Sequence, residues 1–171
     1  MQKDLKLVRV VSVIKIKILC IGNLKENYLL AMQNEYLKRL SNYAKVEIKE
    51  EKEEKSNEIN DSLITQILNK EGERLLKKID DNDYVVLLDL HGSEMDSVKF
   101  AKLIDNKMTN GYSSFCFVIG GSYGVSEDLR KRANTKLCLS PMTFTHQFSR
   151  IIILEQIYRA FKINNNEVYH K

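Results

Sequence analysis

Two polar loops and one helix carry the side chains of this sequence best suited to chemistry. The first loop, Gly120-Gly121-Ser122-Tyr123-Gly124, follows the apolar run Phe115–Ile119. Adjacent glycines let a backbone approach a ligand with no Cβ in the way. The same pair also serves a plain strand-to-helix turn, and the residues alone leave both readings open. The spacing is not that of a dinucleotide fingerprint, and no Gly-Lys-Ser/Thr follows, so a phosphate-gripping loop is excluded. The second loop, Ser140-Pro141-Met142-Thr143-Phe144-Thr145-His146, offers small hydroxyls, a thioether and an aromatic ring. That lining suits an adenine ring and an uncharged ribose better than a triphosphate. His146 can be a ligand, a base or a hydrogen-bonding residue at a helix start, the last being the leading reading. On the following helix Glu155 and Arg159 lie four apart. They read as an ordinary helix ion pair or as an arginine held ready for a phosphate or a base edge.

The elements around these loops alternate in type. Val13–Ile21 has a two-residue apolar period and reads as a strand that Gly22 and Asn23 end. Helical spacing predicts helices over 25–40, 61–79, 95–108 and 147–162, with a short one from the Ser126 cap to Arg132. Tyr84–Leu90 and Ser114–Ile119 are near-continuous apolar runs, as expected of central strands covered on both faces, with His91-Gly92-Ser93 as an exit loop. Val46 and Ile48 mark a short edge strand, and Lys136–Leu139 a last one. The charged run Glu50–Lys55 reads as a solvated loop or frayed helix start. Gly72 interrupts its helix at about 1 kcal/mol relative to alanine. The class is therefore α/β, with a mostly parallel five- to six-stranded sheet and helices on both faces. Ligands of such sheets bind at the carboxyl ends of the strands, where both loops fall.

The bulk numbers are permissive. The chain has 171 residues, a formal net charge of +4, and 43% hydrophobic and 29% charged content. That fits one globular domain able to bury a core without staples. The positive balance suits an anionic partner but does not establish one. No apolar run reaches the ~18 residues of a membrane span, and the charged start lacks a secretory pattern, so cytoplasm is expected. Cys20, Cys116 and Cys138 fall in apolar strands without metal-ligand spacing and are expected to be buried free thiols.

Four segments in order carry a resemblance: Phe117-Val-Ile-Gly-Gly-Ser, Met142-Thr-Phe-x-His-Gln, Leu154-Glu-Gln-Ile-Tyr-Arg-Ala-Phe-Lys-Ile, and the terminal Tyr169-His170-Lys171. Together they resemble the ribosomal RNA large subunit methyltransferase H family, over about residues 14–171. The resemblance implies an α/β-knot (SPOUT) fold with a C-terminal trefoil knot, a feature that ordinary connectivity avoids. It also implies a homodimer that transfers a methyl group from S-adenosyl methionine to N3 of a pseudouridine in 23S ribosomal RNA. The substrate would be free RNA or the assembled ribosome, with no membrane and no metal. The implied cofactor residues are Leu88, Gly120, Leu139, Ser140, Pro141, Met142, Thr143 and Phe144. The implied catalytic residues are His170, as the base that takes the N3 proton, with Tyr169 and Arg159 orienting the base or its phosphate. Residues 1–13 stand outside the resemblance and are expected to have no catalytic role, leaving 14–171 as one methyltransferase domain. Thr145 departs from the family's usual proline, which is expected to loosen the second loop and weaken cofactor affinity. A non-enzymatic RNA- or ribosome-binding module of the same fold is the competing reading, and cofactor binding separates the two. A flavodoxin-like nucleotide binder is disfavoured by the absence of phosphate-gripping chemistry in the second loop.

Overall fold

A computed structural model describes residues 13–56 and 60–169. Five parallel strands form one sheet in the order β2-β1-β4-β3-β5. The strands are β1 (Ile14–Ile21), β2 (Ala44–Glu51), β3 (Tyr84–Glu94), β4 (Ser114–Ile119) and β5 (Thr135–Cys138). The helices are α1 (Asn27–Leu40), α2 (Asp61–Leu76), α3 (Ser97–Thr109), α4 (Glu127–Arg132) and α5 (His146–Asn164). Alternate strand residues point to opposite faces. Ile16, Ile18, Val86, Phe115 and Phe117 pack with α1, α3 and α5, while Leu19, Ile21, Val85, Leu87 and Val118 pack with α2 and α4. The expected five- to six-stranded sheet with helices on both faces has five strands among the described residues.

The wide apolar stripe of α5 is core. Ile151, Ile153, Leu154, Ile157, Ala160 and Phe161 are all buried within the chain, where α5 packs against α1, α3 and the sheet. The stripe, wide enough in sequence for core alone or core plus a subunit interface, is thus taken up by the core.

Two expectations from periodicity change. The alternation of β1 suggests one wet face, yet Lys17 is buried there. Its Nζ donates to Asp83 Oδ2 and Asp80 Oδ2, each at 2.8 Å, and to the Lys78 carbonyl at 2.9 Å. Asp83 also accepts from Ser114 Oγ and from the Asp80 amide. This charge cluster ties β1 to the starts of β3 and β4, at the edge of the sheet remote from the polar loops. Second, β3 does not end at Leu90. Its pairing with β5 shifts register between Leu88 and Ser93, a bulge that makes His91, Gly92 and Ser93 part of the strand and not an exit loop. A Cβ on Gly92 would stand 2.6 Å from the carbonyl carbon of Lys136, so β5 approaches there only because the residue is glycine. Gly72 has a similar reason: a Cβ would collide with Ser126, the cap of α4, where α2 and α4 pack together.

Candidate active site

The carboxyl ends of β3, β4 and β5 open into a cavity of about 710 Å³. The bulge of β3 supplies Leu88 through His91, the turn after β4 supplies Gly120–Val125, and the loop after β5 supplies Leu139–His146 except Pro141. Of the expected cofactor residues, Leu88, Gly120, Leu139, Ser140, Met142, Thr143 and Phe144 all line this one space. Pro141 belongs to the same loop but is exposed and does not line the cavity.

The first loop is a tight turn in its own right. The Gly124 amide donates to the Gly121 carbonyl at 3.1 Å, and Gly124 has φ +104°, a conformation that favours glycine. A Cβ built on Gly120 would lie 2.5 Å from Val125 Cγ1 and closer still to the Gly124 carbonyl oxygen. The turn itself therefore demands Gly120, whatever binds beside it. Ser122 Oγ donates to Glu53 Oε1 at 2.5 Å, and this hydrogen bond holds the Glu53 carboxyl below its ordinary value.

Thr145, not His146, caps α5: its Oγ1 accepts from the Phe148 amide at 3.3 Å. The Thr145 hydroxyl thus anchors the end of the second loop. His146 is the first helical residue and faces both the cavity and Gly22. One turn on, Arg150 is fully buried, bonded through Nη1 to Glu50 and through Nη2 to the Gly22 carbonyl at 2.9 Å. It fastens the start of α5 to the ends of β1 and β2. Cys20, Cys116 and Cys138 are buried and free, and burial pushes the Cys20 and Cys116 thiols up to about 12.

The walls decide what the cavity can hold. Leu88, Ile119, Leu137 and Leu139 are apolar, and no lysine among the described residues lines the space. Its arginine, Arg130, is engaged with Asp89 at 2.9 Å. Burial would raise the Asp89 carboxyl, but the hydrogen bonds from Arg130 and the His91 amide hold it below its usual range. A phosphate finds no unpaired lysine or arginine among these described residues. An uncharged ribose and a purine find apolar walls and glycine backbone, and a positively charged ligand finds Glu26 on the lining. Both features fit S-adenosyl methionine.

Of the expected catalytic residues, Arg159 and Tyr169 lie elsewhere. Arg159 Nη2 donates to Glu155 Oε1 at 2.7 Å, and its guanidinium stands 4.6 Å from the centre of the Tyr169 ring. Tyr169 also meets the Tyr158 ring edge-on at 5.0 Å and donates to Glu155 Oε1 at 3.3 Å. Tyr169 and Arg159 are thus brought together on the outer face of α5, and neither lines the cavity of their own chain. His170 and Lys171 lie outside the described residues, as do residues 1–12.

A family model described as predicted SPOUT methyltransferase matches residues 14–170. The ribosomal RNA large subunit methyltransferase H of Clostridium kluyveri is 50% identical over 157 residues, covering 91% of this chain and 99% of the relative. The chain belongs to the ribosomal RNA large subunit methyltransferase H family. The Enterococcus faecalis member is 45% identical over 158 residues, covering 92% of this chain and 99% of its own. Among solved structures, a probable methylase family protein from Haemophilus influenzae aligns with a TM-score of 0.49 at 12% identity, over 91% of this chain and 70% of the other. As a SPOUT methyltransferase the chain uses S-adenosyl methionine as methyl donor.

The large subunit methyltransferase H framework adds a residue that no spacing singles out. Glu71 of α2 is only 3% exposed and lies under the first loop, 3.0 Å from where a Gly121 Cβ would be. Its Oε1 accepts from the Glu54 amide at 2.8 Å, while the buried Oε2 has no hydrogen-bond partner among the described residues. Burial raises this carboxyl, and the charge of Glu53 adds to the effect. In the window between the ordinary glutamate pKa and the raised one, the folded state holds more protons than the unfolded state, so stability falls as pH rises. Glu71→Gln keeps an acceptor for the Glu54 amide and removes the charge. It is expected to raise the melting temperature at pH 8 and leave it unchanged at pH 4; equal effects at both values would show that Glu71 is not charged in the folded protein at pH 8.

Proposed function

We propose that this chain methylates N3 of a pseudouridine in 23S ribosomal RNA of the large subunit, as a cytoplasmic homodimer whose C-terminal half is tied in a trefoil knot, with residues 14–171 as its single domain. One observation carries the reading: seven of the eight residues expected to hold the cofactor, drawn from three strand ends, line a single cavity without a phosphate grip. The bound cofactor supplies an electrophilic methyl on a sulfonium. The protein's task is then to align the acceptor nitrogen with it and to remove the N3 proton. Leu88 and Leu139 exclude water, and the turn at Gly120–Gly124 presents backbone close to the ligand.

The support for a homodimer is the rim of the cavity. Tyr28, Leu90, Met142, Phe144 and Phe148 are exposed large apolar side chains, and the Phe144 and Phe148 rings meet at 5.8 Å. Tyr28, Leu90, Met142 and Phe144 line the cavity itself. A second copy related by a twofold axis covers such a rim with the same patch. It also accounts for the separation of Tyr169 and Arg159 from the cavity of their own chain. Tyr169 and Arg159, stacked on α5, act on the cavity of the other subunit, where His170, next in the chain, takes the N3 proton.

Removing residues 169–171 tests this division of labour. Affinity for S-adenosyl methionine is expected to stay nearly unchanged, since Tyr169 does not line the cavity, and the melting temperature to fall only slightly, from loss of the Tyr169 contacts with Tyr158, Arg159 and Glu155. Methylation of ribosomes is expected to fall at least tenfold, about 1.4 kcal/mol of transition-state stabilisation. Full activity of the truncated chain would remove the tail, and His170 with it, from the mechanism.

A further inference from the structure

A second cavity, of about 680 Å³, lies on the same carboxyl edge of the sheet, at the ends of β1 and β2. Gly22, Asn23 and Lys25 form one side, Glu50 through Lys55 the other, and His146 and Gln147 the wall it shares with the cofactor cavity. Its volume is that of a small-molecule site.

The lining looks acidic by sequence and is not so in the fold. Glu50 pairs with Arg150, Glu54 with Arg74 at 2.6 Å, and Glu51 with Arg74 and Lys78 at 3.8 and 3.5 Å. Glu53 is turned to Ser122. These cations stand behind the wall and offset Glu50, Glu51 and Glu54, which leaves Glu53 as the lining carboxylate without a cation partner among the described residues, against three lysines. Lys25, Lys52 and Lys55 are exposed, and none has a carboxylate within ion-pair distance among the described residues. The open side of the cavity therefore carries surplus positive charge, beside the amides of Asn23 and Gln147. No phenylalanine or tyrosine ring among the described residues lines it, so stacking on such a platform does not hold a ligand there.

We propose that this cavity is a subsite for a phosphodiester-linked nucleotide of the RNA substrate, a neighbour of the one that enters the cofactor cavity. The inference rests on the RNA methyltransferase reading above and adds where the rest of the strand runs. Unpaired RNA can splay adjacent nucleotides into separate pockets. Three lysines address the phosphates, and Asn23 and Gln147 address base or ribose edges. His146, in the wall between the two cavities, separates the two nucleotides.

The test uses the full chain and ribosomes from a strain lacking the enzyme. In Lys25→Ala/Lys52→Ala/Lys55→Ala, S-adenosyl methionine affinity by calorimetry and the melting temperature are expected to match the wild type. KM for ribosomes is expected to rise at least tenfold. The slope of log KM against log salt is expected to shrink by roughly 0.7 for each phosphate that no longer meets a lysine. Lys52→Glu, a single change on an exposed side chain, is expected to raise KM more than Lys52→Ala, which guards against misfolding of the triple variant. An unchanged KM and salt slope in the triple variant, beside an active wild type, overturns the subsite alone. A wild-type chain that binds the cofactor but transfers no methyl to these ribosomes overturns the RNA reading and the subsite with it.

Discussion

Gly120→Val is expected to abolish cofactor binding, with affinity for S-adenosyl methionine falling at least a hundredfold, about 2.8 kcal/mol. The physical reason is internal to the loop. A Cβ at this position collides with the Gly124 carbonyl and with Val125 Cγ1, both fixed by the turn that Gly124 closes. The loop must open to admit the side chain, and the backbone that faces the ligand moves with it. Val125 is part of the core between the sheet, α2 and α4, so the variant is also expected to melt at a lower temperature. A change that merely filled the ligand's space would leave stability intact. Calorimetry and a thermal melt on one preparation measure both effects, and normal binding by the variant would show that the turn does not position the ligand.

Lys17→Met is expected to destabilise the fold by about 3–5 kcal/mol, the usual consequence of leaving a buried charge without its partner. For a chain of this length that lowers the melting temperature on the order of 10 °C. Asp83 is only 2% exposed, and without Lys17 its carboxylate keeps only the Ser114 hydroxyl and the Asp80 amide. Burial would raise Asp83, yet the hydrogen bonds from Lys17, Ser114 and the Asp80 amide hold it below the usual range. Its stabilising contribution is therefore present above the ordinary aspartate pKa and lost as pH falls through the depressed one. Burial would lower Lys17, but its bonds to Asp80 and Asp83 outweigh that and raise it. Urea unfolding at pH 7 measures the loss, and a value under about 1 kcal/mol would mean that Asp83 is readily rehydrated. Cofactor affinity is expected to survive, because this cluster sits at the opposite edge of the sheet from the cavity.

These two sites differ in how far the sequence reveals them. The loops at Gly120 and Ser140 are legible because they break apolar strands with glycine, proline and small hydroxyls, and because parallel topology places strand ends together. The alternation of strands and helices is legible for the same reason of periodicity. Lys17 is not, because a lysine in an alternating strand looks solvated unless its partners, 63 and 66 positions away, are known. Glu71 and Arg150 are hidden likewise: each reads as an ordinary polar residue on a helix, and only the packing of α2 and α5 buries it. The run Glu50–Lys55 reads as solvent-facing charge, yet Glu50 and Glu51 belong to β2, and Glu50, Glu51, Glu53 and Glu54 each bind a specific partner. Its lysines are legible only once those partners are assigned. The extension of β3 past Leu90 is masked by His91-Gly92-Ser93, whose turn-like composition serves a bulge pressed against β5.

The central claim is that the cavity at the ends of β3, β4 and β5 delivers a methyl group to one nitrogen of ribosomal RNA. The most direct measurement is mass spectrometry of 23S RNA nucleosides, taken from ribosomes of a strain lacking the enzyme and incubated with this protein and methyl-labelled S-adenosyl methionine. A single labelled nucleoside is expected, a pseudouridine carrying the methyl at N3, and no label when the Gly120→Val protein is used. Label on another nucleoside, or none from a wild-type chain that binds the cofactor, would contradict that claim.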